Sequence, residues 1–303
     1  MSSAIVIWMS AFIDSLDSKT IVVVLNIDEE LNSLLSDDYN FELCLRLLSL
    51  KEQLAVRSKK YDQKKELMNK LFTRCVLNIC LGKEGIFDEI SFEYNEFGKP
   101  KIENVEMGPS FQFNASSSNS TLSIVIQFES ETPIGIDLSH SEQKISPETC
   151  VEDFKNIFDV NEYNYLSHIQ SVGQRYAAFN QFWTLKEAFT KLLGCGLNVD
   201  LSLFRFDISR ENGSLSRLDD TKVPLNPFLE AEEVVWKSNI LVDAKGLYNI
   251  DFPFIKNLKD EYYCISCNSY GIFISVISQT PIEDTRLIKF NMKQALHNHL
   301  NNI

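Results

Sequence analysis

Glu187 and Lys191 stand four residues apart in Trp183-Thr184-Leu185-Lys186-Glu187-Ala188-Phe189-Thr190-Lys191, a stretch whose spacing predicts a two-faced helix. Leu185, Ala188, Phe189 and Leu192 recur at i, i+3, i+4 and i+7 and make an apolar stripe for a core. Trp183, Glu187 and Lys191 make a second stripe. A carboxylate and an amine on one stripe have two readings: a solvated ion pair, or acid–base and anion-binding groups aimed into a site. By themselves these residues favour the ordinary pair, with Trp183 as a packing residue. Asp137 is less easily explained. It interrupts Ile134-Gly135-Ile136-Asp137-Leu138, a run that predicts a buried strand. A carboxylate there is costly unless it is paired, hydrogen-bonded or metal-bound.

Other polar groups are held by turns and strand ends. In Phe97-Gly98-Lys99-Pro100 the residue before proline is pushed to an extended conformation, so Lys99 is presented from a turn. Residues 111–120 begin as a strand and become a hydroxyl-rich loop through Asn114, Ser116 and Ser117. That loop is either a simple hairpin connection or an anion cradle of hydroxyls and backbone N–H groups; alone, it favours the hairpin. Lys70 and Arg74 lie one turn apart on a predicted helix, where a solvated face explains them equally well.

Around these groups the chain alternates helical and strand-like signals. Strands are expected at 5–13, 21–27, 90–94, 122–128 and 134–138. Helices are expected at 28–35 with Asp28 as cap, 41–54 after a loop at 37–40, 62–81, 148–157 and 161–169, and 172–178 leads through Phe179 into the helix carrying Trp183 to Lys191. Beyond Gly196 the chain turns β-rich, with strands at 203–208, 234–242, 247–252, 261–266 and 271–277, a turn at 211–214 and a closing helix at 284–300. Helices and strands recur on both sides of residue 137, consistent with two α+β halves, 1–136 and 137–303.

Composition narrows the function. The 303 residues are enough for two ordinary domains or one large one. A net charge of −13, from 29 basic and 42 acidic residues, argues against a nucleic-acid binder but leaves room for a local phosphate pocket. The apolar run near the start is too short to span a bilayer and ends at Asp14. Seven scattered cysteines without a secretory signal predict reduced thiols in the cytoplasm. Cys264 and Cys267 form a lone CxxC in a predicted strand, where odd separation turns the two thiols to opposite faces.

Four motifs occur in order: Gly98-Lys99-Pro100; Phe113-Asn114-Ala115-Ser116; Gly135-Ile136-Asp137-Leu138; and Trp183-x-x-Lys186-Glu187-Ala188-x-x-Lys191 with Gly194-Cys195-Gly196-Leu197. The set resembles the 4′-phosphopantetheinyl transferases of the larger, single-chain type, in particular the eukaryotic aminoadipate-semialdehyde dehydrogenase branch of fungal lysine synthesis. It runs from about Lys60 to Phe206 and is weak in the first fifty residues.

The resemblance implies two α+β subdomains related by a pseudo-twofold, with coenzyme A in the cleft between them. It implies transfer of phosphopantetheine from coenzyme A to a serine of an apo carrier protein, releasing adenosine 3′,5′-bisphosphate. The carrier would be an aminoadipate reductase, or more broadly a fatty-acid or peptide-synthase carrier. Asp137 and Glu187 would hold Mg²⁺, Glu187 would also act as base, and Lys191 would contact the phosphates. Lys60, Gly98, Lys99, Asn114, Ser116 and Ser117 would bind coenzyme A, with Lys99 at the 3′-phosphate. Lys186 is expected to be exposed or turned toward the carrier. The protein would be a cytoplasmic monomer without nucleic-acid or membrane partners.

Two departures matter. Ser139 stands where many members carry a third carboxylate, and Ser117 where the family usually has histidine. They keep alive an alternative, a non-catalytic coenzyme A or carrier-protein binder with incomplete metal ligation.

Overall fold

A computed structural model describes residues 19–103, 110–141, 144–216, 228–250 and 258–300. The strand expected at 5–13 and the end of that at 247–252 lie outside the described residues. The helices are α1 (Glu29–Leu34), α2 (Asp38–Leu45), α3 (Leu50–Ser58), α4 (Gln63–Cys80), α5 (Cys150–Asp153), α6 (Val160–His168), α7 (Val172–Leu193) and α8 (Met292–Leu300). The first large sheet comprises β4 (Phe111–Ser118), β5 (Thr121–Phe128), β1 (Thr20–Asn26), β14 (Arg286–Phe290) and β9 (Leu229–Glu232), in that order. The second comprises β6 (Ile134–His140), β13 (Ile272–Ser278), β12 (Tyr263–Ser269), β10 (Val234–Ser238) and β8 (Asn212–Ser216). Two small ribbons pair β2 (Phe92–Tyr94) with β3 (Pro100–Ile102), and β7 (Arg205–Asp207) with β11 (Leu241–Asp243).

Side-chain alternation along the strands explains how these parts stack. Ile21, Val23 and Leu25 of β1 join a core with α4 and α8, whereas Val22 and Val24 face the other way. Those two valines meet Ile136 and Leu138 of β6 and Ile265, Ile274 and Val276 of the second sheet. The second sheet's outer residues, including Cys264 and Ile277, pack with Leu185, Ala188 and Phe189 of α7. The chain is thus a mixed α+β fold in four layers, helix, sheet, sheet and helix. A strand buried on both faces reads as an unbroken apolar run, which is why β1 is TIVVVLN. Cys264 and Cys267 enter different core layers, as their separation predicts, and all seven thiols are buried and free.

Several sequence expectations change. The helix expected at 41–54 is two helices; Asp37 caps the first, so 37–40 is helix start rather than loop. A capping box of Ser49 and Glu52 opens the second. The expected turn at 211–214 lies partly in β8, and residues 245–249 form a 3₁₀ turn instead of a strand. The stretch expected at 234–242 as one strand is two, β10 and β11. The closing helix begins only at Met292, because Arg286-Leu-Ile-Lys-Phe290 is a strand that pairs in parallel with β1. With β9 and β14, residues beyond 137 thus complete the first sheet, and the boundary at 136/137 falls inside β6.

Candidate active site

β6 and α7 approach so closely that the sequence of β6 can be read from what faces the helix. Ile134, Ile136 and Leu138 point to the inter-sheet core, so Gly135, Asp137 and Ser139 point to α7. A Cβ on Gly135 would lie 2.0 Å from the Ala188 carbonyl oxygen and 2.6 Å from the Leu192 nitrogen, so only glycine fits. At the other end Ser139 donates to Asn180 Oδ1 at 2.6 Å. Between them, Ser275 of β13, the register partner of Asp137, meets Thr184 Oγ1 at 2.7 Å. Asp137 is therefore set against the turns of α7 that carry Glu187 and Lys191.

β4 closes the site from the first sheet. Edge strands β4 and β6 are joined by side chains: Asn114 Oδ1 accepts from the Ile136 N–H at 3.1 Å, and Ser116 Oγ donates to Asp137 Oδ1 at 2.8 Å. Farther along, Ser118 Oγ lies 2.9 Å from His140 Nδ1. Period-two alternation turns Asn114, Ser116 and Ser118 to one side of β4 and leaves Ser117 exposed. The expected loop at 114–117 is thus strand, and the hairpin turn falls at Asn119 and Ser120, with Asn119 at φ +48°.

Lys191 Nζ donates to Asp137 Oδ1 at 2.7 Å and to Ser116 Oγ at 2.8 Å. Asp137 is only 6% exposed. Burial raises its pKa despite the opposing Lys191 charge and hydrogen bonds. Glu187, partly exposed, has no side-chain hydrogen bond or ion pair among the described residues. Burial, helped by the Asp137 charge and opposed by Lys191, pushes its pKa up to about 7. The cluster thus combines a cation held between a carboxylate and a hydroxyl with a carboxyl group poised to exchange a proton near neutral pH.

Not every expected residue joins it. Lys99 turns inward and donates to the carbonyls of Lys191 at 2.8 Å, Leu192 at 3.0 Å and Ile134 at 3.4 Å. Gly98, at φ +83°, makes the turn before it. Lys60 is exposed, its ammonium 5.1 Å from the Tyr61 ring centroid. Lys186, expected at the surface, is 0% exposed. Its ammonium pairs with Glu162 at 2.8 Å and donates to the Leu201 and Phe204 carbonyls, each at 2.8 Å. It lies on the core side of α7, and the folded chain supplies enough partners to bury its charge. Arg74 is likewise buried, bonded to the Leu47 carbonyl at 2.8 Å and to Glu52, while Lys70 pairs with Glu66 at 3.4 Å. Trp183 packs against Phe154 and Phe179, as expected.

Sequence reasoning missed Asn180 and His140. Asn180 lies two turns before Glu187 with no motif around it; period-two alternation puts His140 on the face of Leu138 rather than that of Asp137, so β6 gave no signal for its contact with Ser118.

Residues 133–239, which include Asp137, Glu187 and Lys191, match the family model of the 4′-phosphopantetheinyl transferase superfamily. The chain is 31% identical over 206 residues to an L-aminoadipate-semialdehyde dehydrogenase-phosphopantetheinyl transferase of Candida glabrata, covering 66% of this chain and 76% of that protein. It belongs to this superfamily. A Saccharomyces cerevisiae protein of the same name is 30% identical over 189 residues, 61% of this chain and 66% of its own. A 4′-phosphopantetheinyl transferase of Bacillus pumilus is 32% identical over 137 residues, 45% of this chain and 54% of its own. The superfamily reaction, transfer of phosphopantetheine from coenzyme A to a carrier protein, is the function of this transferase.

Proposed function

We propose that the transferase works at the junction of β4, β6 and α7, and that its carrier is an aminoadipate reductase; its yeast relatives are named for L-aminoadipate-semialdehyde dehydrogenase. The observation that carries this reading is the placement of Glu187, a carboxyl group without a partner among the described residues, one turn from the Lys191 ammonium that bridges Asp137 and Ser116; burial raises its pKa to about 7. A base for a serine hydroxyl works best with a pKa near the operating pH. Glu187 takes the serine proton as the serine oxygen bonds to the phosphorus bearing pantetheine. The bond from that phosphorus to the bridging oxygen breaks, and adenosine 3′,5′-bisphosphate leaves. Lys191 and the Ser116 hydroxyl face the phosphates and steady the departing charge.

Asp137 and Glu187 are hard oxygen donors and suit Mg²⁺, which is commonly held by one or two carboxylates together with phosphate oxygens and water. Among the described residues no three His, Cys, Asp or Glu side chains form a metal cluster, and Ser139 donates to Asn180, so Asp137 and Glu187 would be the carboxylates that hold the ion. Mg²⁺ bound there supplies neutralising charge to the pyrophosphate. The nucleoside end of coenzyme A takes the cavity of about 590 Å³ lined by Tyr94, Lys99, Pro100, Phe111, Phe113 and Leu192. Lys60 and Ser117 are both exposed and are assigned to the coenzyme's phosphates in this reading.

The two five-stranded sheets, each with one long helix, α4 or α7, on its outer face, are the pseudo-twofold halves in this reading, the first taking β9 and β14 from beyond residue 137. We place the protein in the cytoplasm, which its seven buried, free thiols support.

The test follows the mass of an apo aminoadipate reductase carrier domain incubated with the protein, coenzyme A and Mg²⁺. The carrier gains phosphopantetheine, and Glu187→Gln abolishes the gain while binding coenzyme A. Transfer at the parent rate by Glu187→Gln would remove Glu187 from the mechanism. Coenzyme A binding by the parent without transfer to any carrier would favour the non-catalytic binder.

A further inference from the structure

The Lys99 ammonium sits where the last turn of α7, the start of β6 and the turn between β2 and β3 converge. A helix end leaves carbonyls without intrahelical partners and carries partial negative charge, so it attracts cations. Lys99 meets this need with hydrogen bonds to Lys191 O at 2.8 Å and Leu192 O at 3.0 Å, and a third to Ile134 O at 3.4 Å. These use all three N–H groups of the ammonium. Asn95 strengthens the junction: Nδ2 donates to the Gly194 carbonyl at 2.9 Å, while Oδ1 accepts from the N–H groups of Phe97 at 3.0 Å and Lys99 at 2.8 Å. Gly194, at φ +72°, completes the seat; a Cβ there would lie 2.9 Å from Asn95 Nδ2 and 3.2 Å from Lys99 Cδ.

Resting on the function proposed above, we propose that Lys99 is a positioning residue: it clamps the carboxyl end of α7 to β6 and thereby holds Lys191 against Asp137, and it does not touch the coenzyme's phosphates. The clamp bonds the backbone of the same residue whose side chain bridges Asp137 and Ser116. Lys99 has no carboxylate partner among the described residues, and the titratable group beside it is the buried Cys195 thiol. Burial pushes the Lys99 pKa down to about 8, which gives the clamp a spectroscopic signature independent of catalysis.

The first measurement follows the Lys99 ¹³Cε resonance against pH in the full chain, with and without saturating coenzyme A. A midpoint near 8 that coenzyme A leaves in place supports the clamp. An upward shift of about one unit on adding coenzyme A marks a phosphate contact and overturns it. The second compares coenzyme A with its 3′-dephospho form in Lys99→Met. The clamp predicts kcat lower by about tenfold, KM changed much less, and unchanged discrimination between the two substrates. Loss of that discrimination overturns it. A double-mutant cycle with Lys191→Met should be non-additive; additive losses mark Lys99 as merely structural and also overturn it. The resonance measurement uses the parent protein, so it decides even if Lys99→Met fails to fold. Absence of transfer by the parent would instead count against the proposed function.

Discussion

At Glu187 the environment works against the charge that the proposed base would carry. Burial and the Asp137 carboxylate favour the neutral acid, and only Lys191 opposes them. The folded-state pKa of about 7 stands above the ordinary 4.5, so between these values the folded protein holds the proton more tightly than the unfolded chain. The linked stability is full below 4.5 and is lost as pH rises through about 7. In a chelator, Glu187→Gln should therefore match the parent near pH 4 and exceed it above pH 7 by about 1–2 kcal/mol after solvent screening. Denaturant melts across this range provide the check; equal parent and variant stabilities at every pH would show that Glu187 is not held near neutrality. The exchangeable carboxyl was legible as a residue type and spacing, but its perturbation was not, because Asp137 lies fifty positions away in the chain.

Among the elements, the contact between β6 and α7 sets the site. Gly135→Ala places a methyl group against the Ala188 and Leu192 backbone, which can yield only if strand and helix separate. We expect a loss of roughly 1–3 kcal/mol from overpacking. Transfer should fall more than this stability loss predicts, because Asp137 then moves relative to Lys191; a normal kcat in a folded Gly135→Ala protein would contradict this. On the core side, the buried Lys186–Glu162 pair joins α6 to the residue preceding Glu187, and Glu162 also accepts from the N–H groups of Phe206 at 2.8 Å and Asp159 at 2.9 Å. Lys186→Met leaves that carboxylate unpaired and should destabilise by about 3–5 kcal/mol. Adding Glu162→Gln removes the charge and keeps an acceptor, so much of the stability should return. Calorimetry of the two variants tests this, and no recovery in the double variant would mean that the pair's charge is not the source of the loss.

For the whole molecule, chain order and layer order differ. β1 lies between β5 and β14, and the first core takes in Ile288, Phe290, Met292, Ala295 and Leu296 from the end of the chain. Full burial of such a large apolar side chain contributes roughly 1.5–3 kcal/mol. A fragment of residues 1–136 lacks β14 and α8 and should show no cooperative melt by circular dichroism. A sharp parent-like transition in the fragment would show that the first half folds alone.

The sequence by itself determined the elements whose pattern is strictly local: the two-faced helix through Trp183 and Lys191, the helix through Leu67 and Leu71, the doubly buried β1, and the strand interrupted by Asp137. It also supplied the four ordered motifs that pointed to the family. Tertiary structure decided which of two identical residue types did what. Lys186 and Lys191 are both lysines of one helix, yet packing buries the first against Glu162 and leaves the second at the rim with Asp137. Lys99 looked outward from its turn until the carbonyls of a helix end almost a hundred residues later gave it partners. β14 resembled the start of a helix because its strand character depends on pairing with β1. In each case local spacing stated the chemistry available, and long-range burial and hydrogen bonding chose where it was used.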